Sequence, residues 1–140
     1  MTVSREIRDL SPAMQVLHNK FMDRCRRDTE LLKDGVTVLV TCTYRDNAEQ
    51  ARLYNQGRTT PGRIVTNARP GKSKHNCTDA QGKPASEAFD VVPLRSGKPV
   101  WDSSDPAWQI IGAHAVAVGL KWYGSPGSPF VEHPHMENPQ

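Results

Sequence analysis

Between Arg58 and Glu87 the chain runs for about thirty residues that are mostly polar and rich in glycine, and only Ile64-Val65-Thr66 resembles a strand there. Connections inside compact domains usually take ~4–6 residues, and structureless stretches beyond ~12–15 are uncommon unless they carry function or mobility. The segment therefore confines regular structure to the residues on either side of it, and it is itself a candidate functional region.

Both flanks carry clear signals. Ser11-Pro12 is a helix start, with serine capping and proline in the first turn. Met14, Leu17, Phe21 and Cys25 then recur at helical spacing through about Arg27. The basic block Arg24, Arg26 and Arg27 reads as a solvated helix end. Gly35 breaks the chain, and Val36 to Cys42 is a β-branched, apolar run expected to form a central strand. Asn47 with Gln50 fits a capping box, opening a helix filled by Ala51, Leu53 and Tyr54 and ended by Gly57. Beyond the long segment, Ala88-Phe89-Asp90-Val91-Val92 is a second strand. Asp105-Pro106 starts a helix with Trp108, Ile111, Ala115 and Val118 on one face and Gly119 as its stop. Leu120-Lys121-Trp122 and Phe130 to Glu137 are expected as further strands. Regular βαβ spacing is missing, so the fold class is α+β, with a small, largely antiparallel sheet packed with helices.

At 140 residues the chain is expected to be one domain, residues 1–140. The net charge of +3 is mild and suits an anionic partner such as a bacterial envelope. No nucleic-acid partner is expected, because aromatics are not clustered among the basic residues. No run approaches the ~18 apolar residues of a membrane span, so no membrane insertion is expected. The first ten residues alternate charge with single apolar side chains and lack a signal-peptide core, so synthesis in a cytoplasm without processing is expected. Cys25, Cys42 and Cys77 are scattered, which argues against a disulfide scaffold.

Asp90 stands out as a carboxylate inside an apolar strand, where it needs a partner. A metal is one such partner. His75 in the polar segment, Asp90, and either His133 or His135 would supply the three protein ligands of a catalytic zinc. Glu132 would then be placed to take and return a proton. An arginine partner for Asp90, and a structural site built from Cys77, His75 and His133, are the alternatives. His18 and His114 lie in helices and are read as structural or solvent-facing.

The motifs Tyr44-Arg45, Glu49-Gln50, Leu53-Tyr54, Gln56-Gly57-Arg58, Pro61-Gly62, Val65-Thr66 and Ser73-Lys74-His75-Asn76 occur in that order. They are followed by Ala88-Phe89-Asp90-Val91, Trp108, Ile111-Gly112, Gly119-Leu120-Lys121-Trp122 and Glu132 to Glu137. Together they resemble the phage L-alanyl-D-glutamate endopeptidases, endolysins of the zinc D-alanyl-D-alanine carboxypeptidase-like peptidase family. The resemblance implies a zinc DD-peptidase/Hedgehog-like fold and one catalytic Zn2+. It places the metal ligands on His75, Asp90 and His135, the acid/base on Glu132, and a catalytic arginine on Arg45. Ser73, Tyr44, Trp122 and His133 fall where substrate would be met. In an extended segment His133 and His135 would point the same way.

The implied reaction is hydrolysis of the bond between L-alanine and D-glutamate in peptidoglycan stem peptides, leading to host cell lysis. Relatives with the same zinc set act as D-alanyl-D-alanine carboxypeptidases, and a zinc-stabilised wall-binding module without catalysis is a third reading. The resemblance further implies a monomer made in the host bacterial cytoplasm, acting in the periplasm or cell wall, and released through a separate phage pore protein. The stretch Cys77 to Pro84 is longer than the corresponding part of relatives, and it brings Cys77 and Asp79 in as alternative ligands.

Overall fold

The computed structural model describes residues 2–124 and 131–140; Phe130, expected to open the last strand, lies outside them. Helix α1 spans Pro12–Arg27, and the Ser11 hydroxyl accepts from the Met14 backbone N–H as its cap. Met14, Phe21 and Cys25 are buried along its inner face. A short helix α2, Thr29–Lys33, follows and is capped by Asp28. Strand β1 is Val36–Cys42, helix α3 is Asn47–Asn55, strand β2 is Ala88–Arg95 and strand β3 is Lys98–Pro99. Helix α4, Pro106–Ala117, is capped by Asp105 and followed by Gly119 at φ 99°. Strands β4, Lys121–Tyr123, and β5, Glu132–Glu137, complete the described sheet.

The sheet runs β1-β2-β5-β4, with β3 paired to β2, and all these pairings are antiparallel. The expected α+β class with a small antiparallel sheet is what forms. Helices α1 and α4 pack together on one face, where Phe89, Val91 and Met136 join Met14, Phe21, Ile111 and Ala115 in the core. Alternation along a strand sends neighbouring side chains to the other face, so Asp90, between Phe89 and Val91, turns away from that core.

Several expectations are corrected. Val36–Cys42 is an edge strand of the described sheet, and its buried and exposed positions roughly alternate. The cap of α3 is Asp46, whose carboxylate accepts from the Glu49 N–H. Its buried residues are Glu49 and Gln50, because that face meets a polar loop. Ile64-Val65-Thr66 forms no strand: Ile64 and Val65 are 57% and 51% exposed. The structural reading of His18 and His114 holds: His18 is buried and packs edge-on against Phe89, with ring centroids 5.4 Å apart. His114 ties α4 to the start of α2, with Nε2 2.7 Å from Asp28 Oδ2.

Candidate metal centre and active site

One row across the sheet gathers the chemistry. Asp90 on β2 pairs with His135 on β5 in register, and Cys42 on β1 pairs with Asp90 from the other side. A register shift between Val40 and Cys42 moves Cys42 into this row; regular pairing would have set Thr41 there. His75 arrives from outside the sheet, on a single 3-10 turn, Lys74–Asn76. The Ser73 hydroxyl accepts from the His75 N–H, and the Asn76 side chain reaches back to the Ser73 N–H. This reciprocal cap fixes the histidine within the long polar segment. Ser73 thereby orients the histidine turn, and it also lines the cleft described below.

His75 Nε2, Asp90 Oδ1 and His135 Nδ1 form a triangle with every side 3.2 Å. Tetrahedral zinc with bonds of ~2.0–2.2 Å would set its ligand atoms ~3.3 Å apart, so the triangle has zinc-ligand spacing. Cys42, His75 and Asp90 also form a group, with donor atoms within 4.8 Å of one another, that could hold a metal ion. His75 decides between its two nitrogens. Nδ1 lies 2.9 Å from the Thr43 carbonyl oxygen, and a carbonyl only accepts. In the neutral ring, the form that binds a metal, Nδ1 therefore carries the proton and the lone pair on Nε2 faces Asp90 and His135. Cys42 Sγ sits behind the ring, 3.8 Å from Nδ1.

Without a metal, the Asp90 carboxylate draws positive charge onto the His75 and His135 rings. Burial alone would lower the His75 pKa, but the Asp90 charge and hydrogen bond outweigh it and raise it to about 10. His135 is raised to about 9 by Asp90 and Glu137 against the same burial. Burial would raise Asp90, yet His75 and His135 hold it well below the usual carboxylate range. A buried carboxylate at this point recruits positive charge. The Arg45 guanidinium stands 3.6 Å from the other Asp90 oxygen and donates to Gln50 Oε1 at 2.9 Å. The arginine partner and the metal partner are thus compatible, because they use different oxygens.

The triangle opens on a cleft of about 890 Å³. Its walls include Arg45, Ser73, Glu132, Tyr123, Arg69 and Lys72. Burial holds Glu132 above the ordinary carboxylate range. Arg69 lies 5.2 Å over the Tyr54 ring, whose other cation is Arg58 at 3.9 Å.

Three expected substrate contacts lie elsewhere. Trp122 is buried, pairs with Met136, and donates from Nε1 to the His133 carbonyl at 2.8 Å. His133 packs its ring against Trp108 and Trp122, at 5.8 and 6.1 Å. The expectation that His133 and His135 share a direction fails because β4 pairs with β5 across a break: Trp122 meets Met136, and Tyr123 meets Glu132. Tyr44 does not line the cleft either; its carbonyl accepts from the Ser4 N–H.

Asp79 accepts from the Gln81 and Lys83 N–H groups, which makes it the organiser of a tight turn and not a ligand. The alternative site of Cys77, His75 and His133 is likewise not assembled, since the His75 ring faces Asp90 and His135. Sequence reasoning passed over Gln50 and Glu137. Glu137 Oε1 is 2.8 Å from His135 Nε2. Its signal was its position two residues beyond a histidine on a strand, hence on the same face.

No family profile matches the chain. The chain is related to the peptidoglycan L-alanyl-D-glutamate endopeptidase CwlK of Bacillus subtilis (strain 168), with 32% identity over 111 residues. That match takes in 74% of this chain and spans 61% of the relative's length. Among solved structures, the Serratia marcescens L-Ala D-Glu endopeptidase ChiX superposes with a TM-score of 0.59 at 15% identity, covering 94% of this chain and 82% of that one. The LD-carboxypeptidase LdcB superposes with a TM-score of 0.57 at 19% identity, covering 93% of this chain and 65% of that one. The fold is shared with these peptidases, as the motifs led one to expect.

Proposed function

We propose that this chain is a zinc-dependent peptidase that hydrolyses the L-alanyl-D-glutamate bond of peptidoglycan stem peptides. The observation that carries the reading is the 3.2 Å triangle of His75, Asp90 and His135 beside Glu132 in one cleft. The relationship to CwlK supports the choice of bond. Arg69 and Lys72 suit a substrate that carries carboxylates, because neither is ion-paired among the described residues.

His75, Asp90 and His135 would hold the ion. When bound, zinc would supply Lewis acidity, lowering the pKa of a water from 15.7 toward ~7 and polarising a carbonyl. Glu132 accepts the proton of the attacking water and returns it to the departing D-glutamate amine. Burial raises its pKa from the ordinary carboxylate value, which makes it a stronger base toward the water proton than an exposed glutamate would be. Arg45, steadied by Gln50, offers its fork to the scissile carbonyl oxygen or a neighbouring carboxylate, which favours the charge that develops during attack. Ser73 holds the His75 turn in place.

An endolysin role is part of this proposal and rests on the motif resemblance. It comprises synthesis in the host cytoplasm, release as a monomer through a separate pore protein, and lysis at the wall. Mass spectrometry of digested sacculi tests the bond. New D-glutamate amino termini are expected. Free D-alanine would instead make the chain a D-alanyl-D-alanine carboxypeptidase, and bound zinc with no released peptide would make it a wall-binding module.

A further inference from the structure

Two charged groups at the centre take no part in the chemistry above. Glu137 Oε1 lies 2.8 Å from His135 Nε2, and its Oε2 lies 3.3 Å from Lys74 Nζ. Both side chains are largely buried, at 14% and 29% exposed. Lys74 is the residue next to His75, and its ammonium also donates to the carbonyls of Asn138 and Gln140. On its other side the Lys74 carbonyl accepts from the Glu87 N–H at 3.0 Å. A chain of polar contacts therefore joins the turn carrying one histidine to the strand carrying the other, without passing through Asp90.

A carboxylate accepts and cannot donate, so the Nε2 of a neutral His135 must hold the proton, which leaves the Nδ1 lone pair toward His75 and Asp90. His75 shows the mirror arrangement, with the Thr43 carbonyl taking Nδ1–H and Nε2 facing inward. The two histidines thus present opposite nitrogens, each selected by its own acceptor. A ring free to rotate or change tautomer would dilute the competent arrangement. Lys74 restrains the second Glu137 oxygen and offsets its charge, so Glu137 stays an acceptor for His135.

We propose that Glu137, backed by Lys74, is a positioning residue that sets the His135 tautomer and makes Nδ1 a metal ligand. This rests on the zinc reading of the site. Outer partners of ligand histidines typically change metal affinity ~10–100-fold when removed.

The test measures zinc affinity by competition with a chromophoric chelator, together with nitrogen NMR of the His135 ring in zinc-loaded protein. Glu137→Leu is expected to bind zinc ~10–100-fold more weakly and to lose clean Nδ1 coordination. Glu137→Gln, whose amide oxygen still accepts, is expected to recover most of the affinity. Wild-type affinity and unchanged Nδ1 coordination in Glu137→Leu would overturn the proposal. Circular dichroism of the chelated protein reports folding. If Glu137→Leu does not fold, Lys74→Met decides: severalfold weaker binding supports the proposal, and unchanged binding overturns it. A wild-type protein that binds no zinc would remove the zinc reading and this proposal together, and that outcome is visible before any variant is made.

Discussion

Single side chains carry the sharpest consequences. Glu132→Gln keeps size and polarity but cannot accept the proton, so hydrolysis is expected to fall by ~10²–10⁴ while zinc stays bound. Metal analysis of the variant beside its rate of peptide release checks both halves; full activity with zinc in place would remove Glu132 as the base. The pH profile carries the same signature. The base works deprotonated, and burial raises its pKa above 4.5, so kcat/KM should fall as pH drops through that raised value. An acid limb at or below 4.5 would contradict this. Asp90 was legible in the sequence as a carboxylate inside an apolar strand, and His75 and the His133/His135 pair as scarce imidazoles, whereas the choice of His135 and the role of Glu132 came from the motif resemblance. Glu137 and Gln50 were not legible, because glutamate and glutamine are common on surfaces and only burial reveals their role.

Elements decide where those side chains point. Helix α4 brings Gly112 against the Trp122 ring: a Cβ added there would lie 2.3 Å from ring carbons. The ring cannot swing away easily, since its Nε1–H is held by the His133 carbonyl. Gly→Ala inside a helix ordinarily stabilises by about 1 kcal/mol. Here Gly112→Ala is expected to destabilise by ~1–3 kcal/mol, an overpacking cost read from denaturant unfolding. A stabilised variant would mean the ring relocates freely. Helices α1 and α4 were readable from cap and period. The inaccurate expectations lay at α3, at Ile64-Val65-Thr66 and at His133. In each, a short segment takes its conformation from what it packs against: a polar loop, an open cleft wall, and an irregular β4–β5 pairing.

At the scale of the molecule, the centre is held together by charge that comes from three distant segments. Without zinc, the raised His75 and His135 pKa values contribute stability in full below about 6.5. That contribution is lost as pH rises through about 9 and about 10. The depressed Asp90 contributes above its ordinary 3.8 and loses its contribution as pH falls through its lower folded value. Chelated protein is therefore expected to melt at progressively lower temperature from near neutrality to pH 10. Zinc binds the neutral imidazoles, so its addition should raise Tm most at the alkaline end. Melting curves with and without chelator decide this; a zinc effect that shrinks with rising pH would oppose it. The sequence by itself determined the two main helices, four strand positions and the residue types able to hold a metal, because caps, periodicity and rare polar residues act locally. Only the tertiary structure decided which nitrogens face inward, that Cys42 enters the row beside Asp90, and that Trp122 belongs to the core with the His133 ring packed against it. Those outcomes depend on register, a bulge and the acceptor behind each ring, which are relations between segments far apart in the chain.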